Sequence, residues 1–203
     1  MKLVGSRGQI VRDFMYDASG TITTGGTAQL ILPERKTTSL ILLQNISDTA
    51  MYVEFGSARA TATLTSGVVT SISVTNGGFG FTKPPIVQFL GGGAGNGGPS
   101  LGCGEPSYPS PANPAKGTAV LVAGAVSSIT IDNGGSGYKI APYVLITNSV
   151  DDPFGCATPS ATSGYELTAS GGPLQLNGTA CTTDPIAIFC ATTGKAFLAK
   201  WMS

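Results

Sequence analysis

GVVTSISVTNGGFGFTKPPIVQFL (residues 67–90) and GAVSSITIDNGGSGYKIAPYVLIT (residues 124–147) align without a gap, and this duplication decides how the chain is read. Val69 falls on Val126, Ile72 on Ile129, Asn76-Gly77-Gly78 on Asn133-Gly134-Gly135, and Gly80, Pro85 and Val87 on Gly137, Pro142 and Val144. Self-similarity at this density marks a repeated supersecondary unit. In each copy apolar residues alternate with small polar ones up to the Asn-Gly-Gly, the period of a half-buried strand. Asn-Gly tolerates the positive φ of a tight turn, so Asn76, Gly77, Asn133 and Gly134 are read as the turns of two β-hairpin-like units. An aromatic (Phe81, Tyr138), a proline and a second apolar run (Ile86–Leu90, Tyr143–Ile146) complete each unit. Neither hairpin can bury an apolar face alone, so the two are expected to pack together.

Working outward, residues 91–116 (GGGAGNGGPSLGCGEPSYPSPANPAK) join the copies. So much Gly and Pro offers little apolar surface to offset ordering entropy, which predicts a long surface loop with a contact role. The flanks read as strands: Ala28–Leu32, Ser39–Leu43 and Ala50–Phe55 before the repeat, and Tyr165–Leu176, Pro185–Ala191 and Lys195–Trp201 after it. Gly171-Gly172-Pro173 and Thr192-Thr193-Gly194 are turn signals. The expected organisation is an N-terminal arm (1–20), a β-sandwich assembly domain (21–66 with 148–203) and an inserted repeat domain (67–147). With 29 Gly and 13 Pro punctuating tracts of Thr, Ser, Val and Ile, the fold class is all-β: a terminal β-sandwich or jelly-roll-like domain carrying two hairpin-like repeats.

Charged residues make up only 11% of the chain, and 11 Lys plus Arg balance 11 Asp plus Glu. An ordinary chain carries about a quarter charged residues. Such a surface has no general attraction for nucleic acid or for an acidic membrane. Near-zero net charge favours association, so the composition is that of an assembly subunit. The first 17 residues hold Arg7, Arg12 and Asp13 and lack a secretion-signal pattern, and no apolar run approaches the roughly 20 residues of a membrane-spanning helix. The expected site of synthesis is a cytoplasm. Cys103, Cys156, Cys181 and Cys190 lie far apart with no His in the chain, which leaves no zinc pattern. The pairings to check are Cys103 with Cys156 and Cys181 with Cys190, against packed thiols.

The stretch Leu43-Gln44-Asn45-Ile46-Ser47-Asp48-Thr49-Ala50-Met51-Tyr52-Val53-Glu54-Phe55-Gly56, with Cys190-Ala191-Thr192-Thr193-Gly194-Lys195-Ala196-Phe197-Leu198-Ala199-Lys200-Trp201 at the other end, resembles a family of small tailed-bacteriophage virion proteins. The Ser-Ile…Asn-Gly-Gly…Gly-aromatic…Pro pattern of the repeat is similar to a module of phage structural proteins. The resemblance covers roughly half of the chain in its flanks. It implies a β-sandwich virion component and carries over no catalytic residue. The small members of the family lack the inserted repeat pair.

Chemistry is sparse. With no His the commonest general base is absent. Asp151-Asp152 is the one adjacent carboxylate pair; a Ca²⁺ site there would need further oxygen ligands, and a solvated turn before Pro153 is the simpler reading. Gly91–Gly98 has no Lys-Ser/Thr after it and is not a phosphate loop. Asn45 and Asn177 match the glycosylation pattern, which matters only in a secreted eukaryotic chain.

The expectation is therefore a non-enzymatic protein without cofactor or metal, located in the virion after assembly in the host cytoplasm. Its expected role is capsid decoration, as a trimer held by contacts with itself and with the major capsid protein, and without nucleic acid or membrane partners. Arg7, Arg12, Met51, Tyr52, Phe55 and Trp201 are the expected assembly or shell contacts. The alternative is a tail or neck fibre adhesin that binds a host glycan, with Phe79, Tyr108 and Tyr138 as its contacts.

Overall fold

The structure is a computed structural model and describes residues 3–4, 10–11, 15–34, 40–93, 111–149, 151–177 and 184–202. It is all-β. The chain divides into two compact units, Met1–Glu54 with Pro159–Ser203, and Phe55–Thr158.

The first unit opens with two short strands that pair with each other, β1 (Leu3–Val4) and β2 (Ile10–Val11). It continues with β3 (Met15–Asp17), β4 (Gly20–Thr21), β5 (Gln29–Leu32), β6 (Leu40–Asn45) and β7 (Met51–Phe55). Because β3 and β4 both pair with the C-terminal strand, residues 15–20 belong to the sheet and not to a free arm. The second unit holds β8 (Arg59–Thr65), β9 (Val68–Asn76), β10 (Ile86–Leu90), β11 (Lys116–Val122), β12 (Ala125–Asn133) and β13 (Tyr143–Thr147). Returning to the first unit, the chain adds β14 (Tyr165–Leu167), β15 (Leu174–Asn177), β16 (Ile186–Phe189) and β17 (Ala196–Met202).

The first unit is a β-sandwich of two sheets, β14-β7-β16-β5 and β15-β6-β17-β3. Alternation along β6 buries Ile41, Leu43 and Asn45; Met51 and Val53 on β7, Ile186 and Ile188 on β16, and Phe197 and Ala199 on β17 join them in the core. Each large aliphatic side chain buried in this way contributes about 1.5–3 kcal/mol. Among its polar members, Asn45 is 1% exposed and fully used. Its Nδ2 donates to Thr49 O (2.8 Å) and Leu167 O (2.9 Å), while its Oδ1 accepts from Ser47 N (3.0 Å) and Ser47 Oγ (2.8 Å). Asp48, three residues on, forms an ion pair with Lys195, whose hydrogen bond holds the Asp48 carboxyl below its ordinary range. The two terminal signatures are therefore partners, since β6 also pairs with β17 from Phe197 opposite Asn45 to Met202 opposite Leu40.

In the second unit the repeat is longer than residues 67–90 and 124–147. Strands β8 and β9 form one hairpin and β11 and β12 its counterpart, with bulges at the equivalent steps Arg59/Ala60 and Lys116/Gly117, and again at Thr63/Leu64 and Val120/Leu121. The hairpin turns are Ser66-Gly67 (φ 53° and 77°) and Ala123-Gly124 (φ 49° and 77°), the two positive φ values of a type I′ turn. Asn76-Gly77 and Asn133-Gly134 are consequently not hairpin turns, because β9 does not pair with β10, nor β12 with β13. Instead β10 and β13 pair with each other around Gln88 opposite Leu145.

The two copies face one another across an internal pseudo-two-fold axis. Val69 N donates to Gly134 O (2.9 Å) and Val126 N to Gly77 O (2.8 Å); Phe81 N donates to Gly124 O (3.0 Å) and Tyr138 N to Gly67 O (3.1 Å). At equivalent positions Phe79 bridges Cys156 and Ser136 bridges Asn113. With β8 paired to β13, β10 beside β11, and β9 beside β12, the four-stranded sheet β10-β13-β8-β9 and the β11-β12 hairpin form a ring of neighbouring strands around one core. Its interior is filled by matched residues of both copies: Val69 and Val126, Phe81 and Tyr138, Phe89 and Ile146, Ala58 and Ala115.

The contact division lies at 54/55 and 158/159 and not at 66/67 and 147/148. The cause is that β8 pairs with β9, and the segment after β13 returns to the ring: Asn76 exchanges hydrogen bonds with Thr158 N and O (3.0 Å each), and Ala157 N donates to Gly56 O. Asp152, far from being a solvated turn residue, is 2% exposed and accepts from Thr82 N (2.7 Å) and Lys83 N (2.8 Å). Burial alone would raise its carboxyl, but the amides of Lys83 and Thr82 outweigh it and hold the group below its ordinary value of 3.8. Both suggested cysteine pairings include a residue outside the described ones, Cys103 or Cys181; Cys156 and Cys190 are fully buried.

Two expected outcomes follow. A Cβ at Gly77 would lie 2.5 Å from Val126 O, and one at Gly134 2.6 Å from Val69 O. Gly77→Ala and Gly134→Ala should each cost about 2–3 kcal/mol by overpacking, measured by urea unfolding, whereas Gly172→Ala, with nothing within 4 Å, should be silent. A carboxylate with a depressed folded-state pKa stabilises above its unfolded pKa, and that stability is lost as pH falls through the folded value. Asp152→Asn should therefore cost about 1 kcal/mol at pH 7, the difference between charged and neutral acceptors. That deficit should shrink as the pH is lowered through 3.8 and beyond in parallel thermal unfolding.

Candidate interaction surface

The ring has an outside whose character is set strand by strand. On β10, Val87 and Phe89 turn into the core, so Ile86, Gln88 and Leu90 face outward; on β13, Val144 and Ile146 are core and Tyr143, Leu145 and Thr147 face outward. Register places Ile86 opposite Thr147, Gln88 opposite Leu145 and Leu90 opposite Tyr143. On β11, beside β10, the outward positions after the first bulge are Thr118, Val120 and Val122. No outward position in this set carries a charge. Four of its side chains are large apolar groups open to solvent: Tyr143 is 58% exposed, Val122 62%, Ile86 44% and Val120 41%.

The duplication supplies an internal control for that face. Where β8 shows solvent Thr63 and Thr65, followed by Ser66 at the turn, β11 shows Val120, Val122 and Ala123 on the same backbone path. Gln88 has Leu145 as its counterpart, and Lys83 has the exposed Ile140. Val and Thr have nearly the same shape, so packing within the unit does not distinguish them, and the apolar residues at these positions of the second copy have another reason. Exposed apolar clusters of this kind mark contacts with other molecules.

The residues expected from sequence distribute differently. Met51 is 0% exposed and lies in the sandwich core, so it cannot be a contact, because its side chain faces inward on the alternating strand β7. Tyr52 is half-buried and its ring lies 6.5 Å from that of Phe189; Phe55 is half-buried at the end of β7. Trp201 stacks on Tyr16 with ring centroids 4.2 Å apart, the two residues being register partners on β17 and β3. Tyr138 is 3% exposed, and its hydroxyl accepts from Ala115 N (2.7 Å), so it is a core residue and not a glycan contact. Phe79 is half-buried in its bridge to Cys156. Asn76 and Asn133 each accept from the amide two residues on, and Gly77 and Gly134 take part in the contact between copies. Arg7, Arg12 and Tyr108 lie outside the described residues.

Sequence reasoning missed Ile86, Val120, Val122 and Tyr143 as surface residues. A signal existed: extending the alignment back to Arg59 and Lys116 sets Thr63 on Val120 and Thr65 on Val122. No known protein-family model matches this chain, and no curated protein and no solved structure does so either.

Proposed function

We propose that this chain is a structural, non-catalytic subunit of a tailed-phage particle that decorates and cements the capsid shell through contacts with copies of itself and with the major capsid protein. The observation that carries the reading is the uncharged set of outward positions on β10, β13 and β11 after its first bulge, with the exposed Ile86, Val120, Val122 and Tyr143. The likeness of the terminal signatures to small virion proteins supports it, as does the balance of charge over the chain. The mechanism is burial: each apolar Å² withdrawn from water contributes about 25 cal/mol, multiplied over the copies of a symmetric assembly such as a trimer. Of the aromatics expected to contact a glycan, Tyr138 is in the core, which removes one member of the platform that a fibre adhesin would use.

The test is cryo-electron microscopy of purified particles with copies counted per capsid. Hundreds of copies on the local symmetry axes of the shell are expected; a few copies confined to tail or neck would overturn the reading in favour of the adhesin. Val122→Asp and Tyr143→Glu, both at solvent positions, should leave the thermal midpoint unchanged and lower shell affinity by about tenfold or more, equivalent to roughly 1.4 kcal/mol.

A further inference from the structure

Asn76-Gly77-Gly78 and Asn133-Gly134-Gly135 are the same tripeptide at equivalent positions, yet their asparagine side chains are held differently. In both, Oδ1 accepts from the amide two residues on, Gly78 N (3.0 Å) or Gly135 N (2.8 Å). Asn76 is half-buried and has two further bonds: its Oδ1 accepts from Thr158 N and its Nδ2 donates to Thr158 O, 3.0 Å each. Asn133 is exposed, and among the described residues nothing accepts from its Nδ2. The difference has a cause in the core. Ala115 stands where Thr158 does, each two residues past one partner of an equivalent bridge, Asn113 with Ser136 and Cys156 with Phe79. The Ala115 amide is taken by the Tyr138 hydroxyl (2.7 Å). Phe81, the counterpart of Tyr138, has no hydroxyl, and the Thr158 amide goes to Asn76 instead.

An asparagine followed by glycine is open to intramolecular attack, because no β-carbon on the second residue shields its amide nitrogen. The attack requires the side chain to turn its Cγ toward that nitrogen, so the bonds that hold the side chain set the rate. We propose that Asn133 is a site of spontaneous deamidation in the folded chain and that Asn76 is protected from it. The Gly134 nitrogen, giving its proton to a solvent base, attacks Asn133 Cγ. The new C–N bond forms, the Cγ–Nδ2 bond breaks, and Nδ2 leaves as ammonia with a proton returned by that base. Water then adds to either carbonyl of the cyclic imide and opens it, to aspartate or to isoaspartate. Aspartate keeps the acceptor for Gly135 N. Isoaspartate runs the main chain through Cγ and lengthens it by a methylene just before Gly134, whose carbonyl accepts Val69 N (2.9 Å) and where an added Cβ would lie 2.6 Å from Val69 O. The isoaspartyl product therefore loosens the contact between the copies, and the ring ages at one of its two equivalent joints.

The test incubates the full chain in mildly alkaline buffer, native and in guanidinium, and follows each asparagine by proteolytic digestion and mass spectrometry, with aspartyl and isoaspartyl peptides separated by chromatography. Dividing each native rate by its own unfolded rate removes the effect of neighbouring residues in sequence. The normalised rate at position 133 should exceed that at position 76 by about tenfold or more, the factor that two net hydrogen bonds supply. The thermal midpoint of the aged chain should fall as isoaspartate accumulates at position 133. Asn133→Asp should keep the native midpoint, and Asn133→Gln, whose longer side chain cyclises slowly, should lose much less on ageing. Equal normalised rates at the two positions would overturn the proposal. So would a position 133 left unmodified in the native chain over a period that converts it in guanidinium. A midpoint that falls equally in aged Asn133→Gln would overturn the link to the contact between copies.

Discussion

The approach of two backbones at Gly77 and Gly134 is the constraint on which the second unit depends. Each glycine carbonyl accepts the amide of a valine at the start of the opposite copy's long strand, Val126 or Val69. The approach is so close that no β-carbon fits at either glycine. These two bonds fasten β9 to β12 and so close the ring on the side opposite the β10–β13 pair. Without them the matched core of Val69, Val126, Phe81 and Tyr138 would open on one side.

The first unit is organised by a different device. Asn45 uses every polar atom of its side chain inside an apolar layer, binding Thr49 and Leu167 on one side and Ser47 on the other. A buried polar group is tolerable when all of its bonds are made, and it then selects one arrangement of the strands around it. Asp48 and Lys195 add an exposed ion pair across the same corner, where screening makes their energetic share small. The sequence signatures at the two ends of the chain are thus the two sides of one joint.

Symmetry in the second unit is complete inside and broken outside. Core positions correspond almost one to one, yet the exterior of the second copy carries Val120, Val122, Ile140 and Leu145 where the first has Thr63, Thr65, Lys83 and Gln88. A pseudo-symmetric ring needs matching residues only where the copies touch each other. The exterior is free to differ, and it does so both ways: toward apolar at Val120, Val122, Ile140 and Leu145, and toward charged at Asp132 and Lys139, where the first copy has Thr75 and Thr82.

The sequence by itself determined the all-β class, the duplication and most of the flanking strands, because these follow from local propensity and a period of two. Strand pairing was decided only by the tertiary structure. Asn-Gly is a strong turn signal, but in this chain the glycine serves close approach, whereas the real hairpin turns, Ser66-Gly67 and Ala123-Gly124, carry weaker residues whose positive φ is imposed by the paired strands on either side. Burial of Met51 and Tyr138 and the long-range pairing of β8 and β10 with β13 also depend on which strands meet. That is a non-local outcome, set by the packing of one copy on the other, and no window of sequence contains it.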